Sequence, residues 1–577
     1  MTSPAHPLRD HNDYTPAWSC ACSTTCGPIL AREANEAAGA GAGGARPGDY
    51  ATNPADNAYR YVAQAAAADS AGGVASLMAG SKWSSLDAAT AKTIVTYSFA
   101  DPRASVFGYR DAADFAGTLS AFSSKDQAVV RDVLAKIAAV CNVEFVEVGD
   151  NAAECGVLRY GYSQQPETMS YAGYAFYPSV SAVGGDVWLA SSQAGAQWDF
   201  YRPNLVLHET LHALGLKHPF GGGDVLPTCE DIIANTVMSY SPVEGSRSGR
   251  LSHYPDEPMA YDIAALQHLY GASSGNAGNT VYKLAAAEFQ GTFRSIWDAG
   301  GIDTFDASGA ARAVTLDLAA GARSDIGTMV TAFAVQANGA RVGAKYTETV
   351  SIAANAIIEN AVGGTLSDVL FGNGAANALS GGAGDDRLQG RGGDDRLDGG
   401  AGLDTAVYAT ARANYEVVRV GTGFNVLDRS GVEGKDTLAG IERIRFADGG
   451  LALDLDGNAG VVAKALGLVF GAAGVANASL VGSSLASLDG GMSAADLMQS
   501  ALNLKLGGAS NGAMVDLICT RLLGTPPSAE LHNALTGLLD SGAVTQGQLG
   551  VVASNLPMNA EQIGLVGLAE TGLAFAV

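Results

Sequence analysis

The sequence predicts an α+β domain, followed by a parallel β-roll and then a mainly helical C-terminal region. Three observations carry this reading. Strand-like and helix-like periodicities alternate between about residues 77 and 270. A nine-residue repeat occupies 363–404, and a fixed short period of this kind is the mark of a solenoid. After about residue 453 the chain turns rich in Ala, Leu and Gly with a weak helical pattern.

Composition narrows the function classes. The chain has 577 residues, enough for two to four domains, and a net charge of −24. So acidic a chain does not hold nucleic acid or an anionic membrane through a basic patch. At 47 % hydrophobic residues it buries real cores, which excludes wholesale disorder. The first residues lack a basic region followed by an apolar run, so no Sec-type signal peptide is expected. The longest apolar run, Ala465–Ala476, is far short of the ~20 residues that a spanning helix needs, so no transmembrane segment is expected. Seven cysteines at this density make no disulfide framework, although Cys141 and Cys155 flank a strand-like stretch and could pair.

Taken in order, residues 1–75 read as a tail or pro-segment, because Ala37–Asp49 is a flexible Gly/Ala stretch. Residues 76–272 read as one α+β domain. In it Thr93–Phe99 is a strand, and Ser124–Cys141 is an amphipathic helix with Ser123 or Ser124 as its cap. Val143–Val148 is a strand, and helices follow at about Asn204–Leu214 and Met259–Tyr270. Residues 273–452 read as a β domain, with strands at Tyr415–Val420, Phe424–Asp428 and Ile441–Phe446. Residues 453–577 form the helical end.

Within the repeat, glycine recurs at 363, 372, 381, 390 and 399. Five residues after each come Asp368, Asn377, Asp386, Asp395 and Asp404; seven after come Leu370, Leu379, Leu388, Leu397 and Ala406. Each unit thus offers one apolar residue to a stacked core and one turn of glycine and aspartate. Carboxylates and backbone carbonyls in such turns suit hard cations, so Gly382, Gly384, Asp385, Asp386, Gly393, Asp394, Asp395 and Asp404 are candidate Ca²⁺ ligands.

The sharpest signal is His208-Glu209-Thr210-Leu211-His212-Ala213-Leu214-Gly215-Leu216-Lys217-His218. On a helix, His208 and His212 share a face, and Gly215 can take the left-handed conformation that turns the chain so that His218 returns to the same point. Three imidazoles around Zn²⁺ leave a position open, as catalytic sites do. Glu209 is placed to touch a water at that position rather than the metal.

This pattern, with Thr236-Val237-Met238-Ser239-Tyr240 after it, resembles the metzincin motif and Met-turn. The resemblance widens to the serralysins, RTX zinc metalloproteases of the M10 peptidase family. Leu77–Trp83 with Thr96–Phe99, and Asp262–Gln267 with Leu269-Tyr270-Gly271, are similar to the two ends of their protease domain. Trp297–Asp306 and Ile358–Ala361 resemble their calcium-binding segments. The resemblance covers about 77–410. It implies a metzincin-type catalytic domain, a calcium-binding RTX β-roll, one catalytic Zn²⁺, several structural Ca²⁺, Met238 as an apolar floor and Tyr240 as an oxyanion partner. It also implies Asp298, Gly300, Gly301, Asp303 and Glu359 as further calcium ligands. The expected activity is zinc-dependent endopeptidase cleavage of protein or peptide substrates by a secreted protein, with type I export machinery reading the C-terminal end.

Departures are informative. The segment from Pro219 to Thr236 does not look like the family's, Asn276–Thr280 replaces a family calcium loop, and the last 120 residues are not serralysin-like. That end leaves room for attachment to a cell-surface layer. Cys20, Cys22 or Cys26 could place a thiolate on the zinc in a zymogen, or could sit in a plain leader. The alternative function is a non-catalytic RTX surface or adhesion protein on a protease scaffold; intact Glu209 and histidines argue against it.

Overall fold

The computed structural model describes residues 62–68, 73–87, 90–108, 112–168, 171–194, 201–335, 339–508 and 510–576. The cysteines of the N-terminal segment lie outside these. The chain forms two compact units: residues up to Asp303 with Ala319–Ile358, and Thr304–Leu318 with Glu359–Val577. Residues 273–303 therefore pack with the α+β part, which ends later than the change in sequence character at about 273.

In the first unit, β1 (Val62–Gln64) pairs antiparallel with β2 (Ser81–Trp83). The tail expected over 1–75 thus contains a paired strand; three residues are too few to carry a periodic signal. Next come β3 (Thr93–Phe99), α1 (Ala112–Ala116), β4 (Leu119–Ser120) and α2 (Ser124–Val140). Six of the seven β3 residues are buried, as expected for a strand covered on both faces. Ser123 caps α2 in a reciprocal box with Asp126, and Val130, Val133, Leu134 and Ile137 form its buried stripe.

There follow β5 (Val143–Glu147), β6 (Leu158–Ser163), α3 (Gln165–Thr168), β7 (Gly173–Ala175), β8 (Asp186–Ala190), α4 (Arg202–Ala213) and α5 (Ala260–Tyr270). The sheet order is β5-β3-β6-β8-β7, with β4 on β6. The pairs β3–β5, β3–β6 and β6–β8 are parallel, while β7 runs antiparallel to β8 at the edge. Cys141 and Cys155 are both buried and not disulfide-bonded, so the pairing that their spacing left open does not form.

In the second unit the repeats wind into two sheets. Ala378 pairs with Arg396 and Leu379 with Leu397 in one; Val369 pairs with Arg387 and Leu370 with Leu388 in the other, all parallel. Each partner lies eighteen residues on, so one turn of the coil consumes two repeats and alternate repeats feed alternate sheets. Leu370, Leu379, Leu388, Leu397 and Ala406 are at most 1 % exposed and fill the interior. The third expected strand of this region begins at Arg443 rather than Ile441.

The aspartates also stack. The N–H of Asp368 donates to Asp386 Oδ1 (2.7 Å), that of Asp386 to Asp404 Oδ1 (2.8 Å) and that of Asn377 to Asp395 Oδ1 (2.8 Å). The other oxygen of Asp386, Asp395 and Asp404 is buried without a partner. Glycine is required beneath it: a Cβ at Gly381 would meet Asp386 Oδ2 at 2.3 Å.

The helical end comprises α6 (Asn458–Phe470), α7 (Ala472–Val475), α8 (Ala478–Asp489), α9 (Ala494–Leu506), α10 (Asn511–Leu523), α11 (Ala529–Asp540), α12 (Gln546–Ser554), α13 (Pro557–Gln562) and α14 (Leu565–Thr571). The apolar run at 465–476 is split at Gly471, whose φ is +73°. Among the described residues no helix is long and apolar enough to cross a membrane. The apolar terminus, Leu573–Phe575, pairs antiparallel with Gly450–Ala452.

Burial lifts the carboxyls of Asp386 to about 7 and of Asp395 and Asp404 to about 6, above the usual ~3.9. Between these values the folded, metal-free roll holds protons that the unfolded chain has released. Its stability is therefore present at low pH and lost as pH rises through 6–7. In calcium-free buffer, the thermal midpoint of the roll should rise when pH falls from 7.5 to 5, followed by circular dichroism. A midpoint that falls would contradict the buried, uncompensated carboxyls.

Candidate metal centre

Helix α4 is buried along Asn204–Ala213, with Leu207, Leu211 and Leu214 fully enclosed. Its C-terminal carbonyls find buried aromatic donors: Trp83 Nε1 to Ala213 O (2.8 Å) and Tyr270 Oη to Leu214 O (2.7 Å). Gly215 follows at φ +105°, and a Cβ there would lie 2.3 Å from Ser81 O. Only glycine lets the chain turn here. Lys217 then ties the returning strand down, its N–H donating to Leu77 O (2.7 Å) and its Nζ to Ser76 O (2.8 Å).

The turn brings the three histidines together. His208 Nε2 and His212 Nε2 each lie 3.1 Å from His218 Nε2. Among the described residues, these three form the one group of at least three His, Cys, Asp or Glu side chains whose ligating atoms lie within 4.8 Å of one another. His208 Nδ1 contacts Val237 O (2.8 Å) and His212 Nδ1 contacts Leu216 O (2.7 Å). A carbonyl only accepts, so each Nδ1 carries the proton and each Nε2 turns a lone pair inward. Burial drives His208 down to about 4 and His218 to about 3, so the rings are neutral. Nitrogens bound tetrahedrally at 2.0–2.1 Å from Zn²⁺ would be about 3.3 Å apart, so the donor set fits that ion.

Glu209 is 5 % exposed, and burial lifts its carboxyl to about 8. A Cβ at Gly173, on the edge strand β7, would lie 3.1 Å from its Oε1, so β7 runs directly beside this carboxyl. Tyr240 stands over the cluster, its ring centre 4.7 Å from His218 and 5.5 Å from His208, and it is 47 % exposed. Burial and the nearby Glu209 lift its phenol to about 12, so it stays protonated. Met238 is fully buried in the turn, one residue after the carbonyl that holds His208.

Two features escaped the sequence. Asp262, fully buried at the start of α5, accepts from Thr236 Oγ1 (2.5 Å), Val237 N (2.9 Å) and Met259 N (2.9 Å). It pins the turn whose carbonyl orients His208. Phe220 stacks on His218 at 5.0 Å and 3°, and the Arg247 guanidinium lies 4.0 Å from the Phe220 ring centre. No local pattern marks either; both depend on contacts across loops.

The remaining candidate ligands are dispersed. Asp298 accepts from Tyr282 Oη (2.7 Å) and Gly300 N (3.0 Å), and Asp303 accepts from Thr280 N (2.7 Å). The replaced loop at Asn276–Thr280 thus packs onto this segment, where Gly300 and Gly301 have φ near +140°. Glu359 accepts through its carbonyl from Asn377 Nδ2 (2.9 Å). Asp385 Oδ1 accepts from Leu403 N and Asp394 Oδ1 from Lys435 N. Gly382, Gly384 and Gly393 all have φ between +107° and +112°, in turns stacked against the preceding coil. Cations in the roll would need backbone carbonyls beside these carboxylates.

Comparison with known proteins shows the chain to be serralysin-like. Residues 260–419 match the family model described as Peptidase M10 serralysin C terminal. The chain is 38 % identical over 319 residues to a serralysin of Photorhabdus luminescens, covering 51 % of this chain and 62 % of that protein. It is 34 % identical over 255 residues to serralysin B of Dickeya chrysanthemi, covering 40 % and 49 %. A serralysin of Proteus mirabilis is 30 % identical over 273 residues, covering 41 % and 52 %. The chain spans roughly half the length of these relatives.

Replacing Asp262 by Ala strands three buried donors. It should cost about 2–4 kcal/mol of stability and weaken zinc binding about 10–100-fold, measured by chemical denaturation and by competition with a chelating dye. Unchanged zinc affinity in a folded Asp262→Ala protein would remove Asp262 from the support of the site.

Proposed function

We propose that this serralysin-like chain is a secreted zinc endopeptidase stabilised by calcium. One observation carries the reading: three neutral imidazoles converge beside the buried carboxyl of Glu209, next to an edge strand. An extended peptide can add to that edge by main-chain hydrogen bonds, which brings a scissile bond to the histidines without demanding particular side chains.

His208, His212 and His218 would hold the ion, which when bound lowers the pKa of a coordinated water and polarises a carbonyl. Glu209 takes the proton of the attacking water and hands it to the leaving amine; a carboxyl lifted toward neutrality is suited to both steps. The Tyr240 hydroxyl, protonated at any working pH, donates to the oxygen that gains charge at the scissile carbon. Val237 O and Leu216 O keep two imidazoles in the tautomer that ligation needs.

Calcium in the roll is supported by the buried unpartnered oxygens of Asp386, Asp395 and Asp404. Ions there would offset carboxylates that otherwise repel, so calcium would further stabilise the folded roll. Asp298, Gly300, Gly301, Asp303 and Glu359 are further proposed ligands. Export by a type I channel and binding to a cell-surface layer remain part of this proposal. The adhesion reading has no observation in its favour.

The test is Glu209→Gln. The purified variant should retain one zinc by elemental analysis and the wild-type dichroism, yet cleave casein about 10²–10⁴-fold more slowly. Casein cleavage at the wild-type rate by the zinc-loaded variant would sink the assignment.

A further inference from the structure

The C-terminal helices line an open cavity of about 780 Å³, within the volume range of small-molecule sites. Asp516, Thr520 and Arg521 line it from successive turns of α10. Gly467 and Gly471 at the end of α6 and Gln562 at the end of α13 line it as well.

Arg521 is the unusual member. Its Nε is buried and has no hydrogen-bond partner, and no ion pair within the described residues engages its guanidinium. A buried guanidinium nitrogen left unmatched is costly, and natural proteins seldom keep one without a use. The surroundings are shaped to it: a Cβ at Gly471 would sit 2.8 Å from Arg521 Nη1, so the bare backbone there makes room for the fork. The acid on the same helix does not neutralise it, for Asp516 lies 3.5 Å from His532 Nε2 instead. Gln562 gives its Nε2 to Leu522 O (3.2 Å), which leaves its side-chain oxygen to accept.

We propose that this cavity binds a small organic acid. Arg521 takes the carboxylate through its planar fork, while hydroxyl or ammonium donors on the ligand meet Asp516 and the Gln562 oxygen. A carboxylate is favoured over a phosphate because a dianion would find one cation and an acid on the same wall. The site lies in the second unit and is independent of the chemistry at the histidines.

Titration calorimetry on the full calcium-loaded chain tests this, with glucuronate, glutamate, acetate and glucose as probes. Glucuronate or glutamate should bind with a dissociation constant at or below about 1 mM, whichever is tighter identifying a hydroxy acid or an amino acid. Glucose and acetate should bind at least about tenfold more weakly, and Arg521→Gln should weaken the preferred acid by about tenfold or more. Arg521→Lys, which keeps the charge and loses the fork, should weaken it by a smaller factor, and it serves if the Gln variant loses its helical dichroism. No binding of either acid, equal binding of glucose, or wild-type affinity in a folded Arg521 variant would overturn the proposal.

Discussion

Facing lone pairs are the constraint on which the candidate metal centre depends. Two imidazoles are fixed by carbonyls so that their unprotonated nitrogens point at a third ring 3.1 Å away. Burial forbids the protonation that would otherwise relieve them. One proton on His218 cannot satisfy both contacts well, whereas a single cation satisfies all three. The surrounding architecture serves this arrangement. Gly215 turns the chain, Trp83 and Tyr270 close the helix end, and Asp262 holds the turn that aims His208.

The roll solves a related problem with other chemistry. Each repeat aspartate spends one oxygen on the backbone of the coil before it and keeps the other buried. The geometry of the stack demands glycine wherever backbone or carboxylate comes too close for a side chain. That accounts for glycines among the 13 that fall between residues 363 and 402, out of 74 in the chain. Acidic charge in this segment is thereby an element of the fold, and stability is coupled to whatever neutralises it.

Much of this was legible because the signals are local. The helix with the histidines announces itself by spacing, by the apolar stripe at Leu207, Leu211 and Leu214, and by the glycine after it. The roll announces itself by period, although the eighteen-residue step between paired strands appears only when two sheets are built from alternate repeats. Asp262 was legible as part of a family-like helix but not as a support of the site, because the turn it pins, at Thr236 and Val237, lies 25–26 residues away. Asp436 extends the aspartate stack by accepting from Asp395 N, yet it lies outside the nine-residue register. The short strand at Val62–Gln64 and the role of Arg521 likewise depend on long-range packing that no window of sequence contains.

Ligation by three imidazoles is addressed most directly by zinc K-edge X-ray absorption of the zinc-loaded protein. The account predicts a shell with about three histidine nitrogens at 2.0–2.1 Å, completed by oxygen. A shell dominated by sulfur near 2.3 Å, or a protein that retains no zinc, would contradict it.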